Sequence, residues 1–186
     1  MFTCSIFLDA RSTGAGLPRR LAVLREQLQR RDIRSELLLV DDTGDTRLPG
    51  LARRFDARLF PCSGEPLGSR LNAAVANSQG KLLVFPAPSH PLPGDWLACV
   101  AKPPEHRGWD ALVLPSRPRH PLLRLWQRLS RSPPADGLCV AREWFDRIGG
   151  FDPALGAAAL PELLERLHAC QARVQARAVR PRRCPG

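Results

Sequence analysis

The stretch Glu36-Leu37-Leu38-Leu39-Val40-Asp41-Asp42-Thr43-Gly44-Asp45 organises the reading of the whole chain. Its apolar half is a short strand, and its polar half is turn chemistry that ends the strand on two adjacent carboxylates. Upstream, Phe2 to Leu8 is another apolar run, broken by Gly14 and Gly16. Leu17, Leu21, Leu24 and Leu28 then recur on one helical face, with Pro18 suited to the first turn. Downstream, Leu48 to Phe55 is helical, Ala57 to Phe60 a strand, Leu67 to Ser78 a helix stopped by Gly80, and Lys81 to Phe85 a strand. Alternating strands and helices predict an α/β fold around a mainly parallel sheet. Ligands of such sheets sit beyond the carboxyl ends of the strands, where Asp41-Asp42 and the loop from Pro86 to Asp95 lie.

The second half is less regular. Ala111 to Leu114 and Gly137 to Ala141 read as strands, and Val174 to Val179 as a last one. Leu122, Leu125, Trp126 and Leu129 share a helical face, Arg142 to Ile148 is a helix ended by Gly149-Gly150, and Pro161 to Cys170 is helical. Neither half has enough apolar periodicity for its own core. Residues 1–186 therefore read as one domain, with a half at 1–85 and a half at 86–186 that carries a basic C-terminal end.

Composition bounds the function. A chain of 186 residues buries roughly 70% of its unfolded surface and needs no disulfide or metal staple. No apolar run reaches the ~20 residues of a membrane span, and Asp9 and Arg11 interrupt the N-terminus too early for a signal peptide. Membrane-spanning, collagenous and small disulfide-scaffold classes are excluded. The six cysteines form no CxxC pair, so reduced thiols and a cytoplasmic location are expected. The formal charge is +10, and only Lys81 and Lys102 among the 28 cations are lysines. A GC-rich genome accounts for most of that arginine excess. The remaining positive field favours anionic partners: a nucleotide, or peripheral contact with an anionic membrane. The densest cationic stretch, Arg173 to Arg183, has no interleaved aromatics and so no base-stacking motif for nucleic acid.

Four segments in order resemble the family 2 glycosyltransferases, which have the GT-A fold. Ser5 to Leu8 stands at the family's opening strand, and Leu39 to Thr46 matches its strand ending in VDDGSxDxT. Gly68 to Ala74 with Gly80 to Phe85 matches the helix and strand before the metal motif, and Ala141 to Asp152 matches an acceptor-side RRxxFxxxGGFD segment. The resemblance implies sugar transfer from a nucleotide diphosphate. A DxD-held divalent metal stabilises the leaving group, and a carboxylate acts as base.

Both motifs are degenerate here. Ala87-Pro88-Ser89 falls where DxD belongs, and no Asp or Glu occurs from Leu82 to Gly94. No metal is therefore expected. Glu162 is the one candidate base, equally explained as an acid favoured by the start of its helix. By resemblance, Asp41-Asp42 contact the base of a nucleotide such as UDP, although DDTGD is also an ordinary solvated turn. Arg70 and Asn72 would flank the diphosphate, and Arg70 could replace metal charge by bidentate contact; a plain exposed helix arginine is the simpler reading. Three classes follow: a transferase-like protein with weakened or lost chemistry, an active metal-independent transferase, and a non-enzymatic binder of anionic surfaces.

Overall fold

The computed structural model describes residues 3–30, 33–87, 96–97, 108–115 and 135–176. Its strands are β1 Thr3–Asp9, β2 Arg34–Asp41, β3 Arg58–Pro61, β4 Leu82–Pro86, β5 Ala111–Pro115, β6 Ala135–Ala141 and β7 Val174–Ala176. They form one sheet in the order β3-β2-β1-β4-β6-β5-β7. The pairs β1–β2, β1–β4, β2–β3 and β5–β7 are parallel, and β6 runs antiparallel to both neighbours. The helices are α1 Ala10–Thr13, α2 Leu17–Gln29, α3 Leu48–Arg54, α4 Leu67–Ala76, α5 Arg142–Arg147 and α6 Ala159–Ala169.

Strand alternation sorts the apolar residues onto two faces. Ile6, Leu8, Leu37, Leu39 and Val84 pack with Leu17, Leu21 and Leu24 of α2 and Leu48 of α3. Phe7, Leu38, Val40, Leu83 and Phe85 pack with Leu71 and Val75 of α4, Phe145 of α5 and Leu163 of α6. Phe85 anchors the second face, stacked on Phe7 at 5.0 Å and edge-on to Phe151 at 4.9 Å. Because the chain steps from β1 through β2 to β3 and then returns to the other side of β1 for β4, the connection reverses between β1 and β4. Such a switch point opens a crevice at the carboxyl edge.

The strands and helices expected over 2–85 form with shifts of a residue or two at their ends. The helical face at 122–129, the loop positions 88–95 and most of the basic end lie outside the described residues. Cys4 and Cys139 are buried in the core, whereas Cys170 is exposed.

Arg173, the first residue of the basic end, is tied to the sheet although its side chain stays 63% exposed. Its backbone N–H and Nε donate to Asp110 Oδ2 at 2.8 and 3.0 Å, and its Nη2 donates to Oδ1 at 2.7 Å, which fixes the approach of β7 to β5. The hydrogen bonds from Arg173 hold the Asp110 carboxyl below its ordinary range. A carboxylate with a depressed folded-state pKa stabilises above its unfolded value, near pH 4, and loses that contribution as pH falls through the folded value. The wild type should therefore lose thermal stability below about pH 4 more steeply than Asp110→Asn. Melting curves from neutral to acid pH check this; parallel curves for the two proteins would contradict it.

Candidate functional site

The parallel register sets Asp9 opposite Val40, so β1 and β2 deliver Asp9, Asp41 and Asp42 to the same carboxyl edge. Asp9 caps α1, accepting from the Ser12 backbone N–H at 2.8 Å and its hydroxyl at 2.5 Å. Asp41 Oδ1 accepts from the N–H and hydroxyl of Thr43 at 2.7 and 2.6 Å, an Asx turn that shapes the DDTGD segment. From the opposite face, α4 supplies Arg70. Its Nη2 donates to Asp9 Oδ1 at 2.8 Å, and its Nη1 donates to Asp42 Oδ2 and, at 3.1 Å, to the carbonyl of Glu65. Arg11 closes the group from outside, Nε donating to Asp42 Oδ2 at 2.7 Å and Nη2 to the Asp42 carbonyl at 3.2 Å.

Two expectations need correction here. Arg70 is not an exposed helix arginine; its side chain is 5% exposed, between Asp9 at 8% and Asp42 at 1%. Nor is Asp41-Asp42 a solvated turn, because Asp41 is buried and the Asp42 side chain is enclosed by two guanidiniums. The cause is one that the linear sequence hides: a cation on α4 and carboxylates on β1 and β2 meet only when the sheet forms.

The network is balanced in charge but not fully satisfied. Asp42 Oδ1 and Arg70 Nε are buried without a hydrogen-bond partner. Leaving an acceptor or donor in that state costs about 1–3 kcal/mol, more when it is charged. The two orphans belong to side chains joined through Asp42 Oδ2 and Arg70 Nη1, so the buried cluster holds one unsatisfied acceptor and one unsatisfied donor. Close by, a cavity of about 30 Å³ lies between β1 and β4 against Phe7, Asp9, Leu71 and Phe85. That volume suits about one water. Cys62 borders the cluster, and burial pushes its thiol above the ordinary range, which suppresses thiolate chemistry.

Asn72 and Glu162 belong to a second constellation. Asn72 Nδ2 donates to the Phe151 carbonyl at 2.7 Å, and its Oδ1 accepts from the Phe151 N–H at 2.9 Å. Both carboxylate oxygens of Glu162 accept from Arg166, at 2.5 and 2.8 Å. Arg166 also donates to the carbonyls of Ile148 and Gly150 at 2.7 and 2.6 Å. Asn72 and Arg166 hold the Gly149-Gly150-Phe151 turn, with Glu162 orienting Arg166. Asn72 is thus saturated by backbone and turned away from the Arg70 cluster, and Glu162 must leave Arg166 before it could take a proton. Asp9 and Arg11 were missed as site residues. The one signal for them was position, since an Asp closing the first strand falls on the same edge as Asp41.

No family model matches the sequence, and no curated protein does. Solved structures do. The mannosyltransferase PcManGT from Pyrobaculum calidifontis, in complex with GDP-Man and Mn2+, superposes over 95% of this chain with a TM-score of 0.68 and 22% identity. This chain spans 54% of that protein's length, so about half of it has no counterpart here. Glucosyl-3-phosphoglycerate synthase from Mycobacterium tuberculosis, in complex with Mn2+, UDP and glucosyl-3-phosphoglycerate, matches over 99% of this chain and 73% of its own, with a TM-score of 0.70 and 15% identity. TarS from S. aureus matches over 97% of this chain and 59% of its own, with a TM-score of 0.66 and 13% identity. The chain has a GT-A fold, the fold it shares with these structures.

Proposed function

We propose that this is a glycosyltransferase-like protein that retains nucleotide recognition at the carboxyl edge and has weakened or lost sugar transfer. The observation that carries the reading is the pair of buried orphans on two paired side chains, the acceptor Asp42 Oδ1 and the donor Arg70 Nε. A uracil edge offers an imide N–H beside a carbonyl oxygen, a donor and an acceptor in the complementary order. Asp42 would take the N–H and Arg70 would donate to the carbonyl, satisfying both buried groups at once. Asp41 holds the turn that presents Asp42. Arg11 covers Asp42 and must yield before a base reaches it, a conformational cost that lowers the apparent affinity.

Among the described residues, those at the carboxyl edge do not fit a divalent metal. Such ions need several oxygen ligands, preferably carboxylates. No group of three or more His, Cys, Asp or Glu residues suited to a metal exists among the described residues. The two carboxylates that lie together, Asp9 and Asp42, already share the Arg70 guanidinium. The same commitment weighs against a metal-independent transferase that neutralises a diphosphate with Arg70. With Glu162 also engaged, neither the leaving group nor the acceptor hydroxyl has an unencumbered partner at the positions the resemblance assigns.

UDP titration tests this reading. Asp42→Asn is the suitable variant, since Ala at both aspartates would empty a buried network. Wild type should bind UDP weakly, with a Kd of about 1 mM or somewhat below, and Asp42→Asn should lose about tenfold. Binding by Asp42→Asn equal to wild type would remove Asp42 from the site. Wild type inert to UDP and other nucleotides at millimolar levels would leave a scaffold with no donor site.

A further inference from the structure

A separate cleft opens on the other side of the DDTGD turn, between α2 and α3. It encloses about 910 Å³, and neither Asp42 nor Arg70 lines it. Both bounding helices lie on the same face of the sheet, and the cleft begins at Ala10-Arg11, directly after β1. Leu17, Pro18, Leu48 and Leu51 give it aliphatic walls. Arg47 and Arg54 stand at its rim and are exposed, and Arg11 lies at the end toward Asp42. Asp45 is the one carboxylate in the lining, held at a pKa of about 2 by its hydrogen bonds from Arg47.

We infer that this cleft binds a phosphate ester with an aliphatic body. Three arginines against Asp45 in the lining and Asp42 behind Arg11 leave a net positive charge that selects an anion, and a phosphate can displace Asp45 from the planar fork of Arg47 because it offers the same bidentate geometry with more charge. The walls select what the phosphate carries. Among the described residues no aromatic ring lines the cleft, so a nucleobase finds no stacking partner there, whereas four aliphatic side chains suit a hydrocarbon chain. The ester can come from a membrane or from solution. The cleft shares Arg11 and the DDTGD turn with the nucleotide edge, but Arg47 and Arg54 belong to it alone and carry its test.

The test measures binding of monomeric dioctanoyl phosphatidic acid, of inorganic phosphate, and of phosphatidylcholine vesicles with and without phosphatidic acid. Dioctanoyl phosphatidic acid should bind at least about tenfold tighter than inorganic phosphate. Arg47→Ala/Arg54→Ala should abolish that preference, whereas Arg30→Ala/Arg34→Ala, which removes the same charge from exposed positions outside the cleft, should keep it. Asp42→Asn should also keep it, even if UDP binding fails. Retention on the acidic vesicles with the same variant pattern assigns the source as a membrane, and binding of the monomer alone assigns a soluble ester; either supports the site. Equal affinity for the two phosphates, or equal loss in both arginine double variants, overturns it.

Discussion

Arg70→Ala should destabilise the protein by about 3 kcal/mol, near the lower end of the range for breaking a buried ion pair. The substitution strands Asp9 and Asp42, whose side chains are 8% and 1% exposed, in a site built around a cation. Ser12 still donates to Asp9 and Arg11 still covers Asp42, which keeps the loss from being larger. Arg70→Met refills the volume without the charge and should recover little. Adding Asp9→Asn and Asp42→Asn to Arg70→Met should recover most of the loss, since a matched neutral set no longer holds an uncompensated charge. Urea unfolding of the four proteins decides. An Arg70→Ala effect under about 1 kcal/mol would mean that the network is hydrated and that its orphans are no guide to a ligand.

Gly68→Ala should lower the melting temperature by about 6–12 °C, the equivalent of about 3 kcal/mol for a chain of this size. Gly68 lies in the first turn of α4, where replacing Gly by Ala ordinarily gains up to about 1 kcal/mol. Here a Cβ would lie 2.1 Å from the carbonyl oxygen of Asp152 and 3.2 Å from that of Leu155. Both are backbone atoms, and the Gly68 N–H already donates to Leu155 at 2.8 Å, so neither neighbour can swing aside. Gly50→Ala in α3 is the control of opposite sign: nothing lies within 4 Å of its Cβ position, and it should be neutral or stabilising by up to about 1 kcal/mol. A stabilised Gly68→Ala would mean that α4 does not dock on the 152–155 segment as described.

Most of the fold was legible because its signals are local. The apolar run at Leu37–Val40, the leucine face of α2 and the glycine punctuation at Gly80 each depend on neighbours in sequence. The antiparallel insertion of β6 between β4 and β5 was not legible, since strand direction follows from long-range pairing. The site divides in the same way. Asp41-Asp42 could be found from a motif at a strand end. The burial of Arg70, the role of Asp9 and the diversion of Asn72 and Glu162 into the Phe151 turn could not, because each arises from elements more than 15 residues apart in the chain meeting at one place, as with Arg70 and Asp9 or Arg166 and Gly150. Arg173 shows the converse: composition placed it in a basic tail, but a single carboxylate, Asp110, makes it a strand anchor.

The most direct test of the account is calorimetric titration of UDP into the wild-type protein, once with manganese and once with chelator. A nucleotide edge that reads the base through Asp42 and Arg70, beside carboxylates already neutralised by arginine, predicts weak affinity that is the same in both titrations within about threefold. A gain of about tenfold or more with manganese, or 1.4 kcal/mol, would contradict it and show that the protein still assembles a metal-dependent donor site.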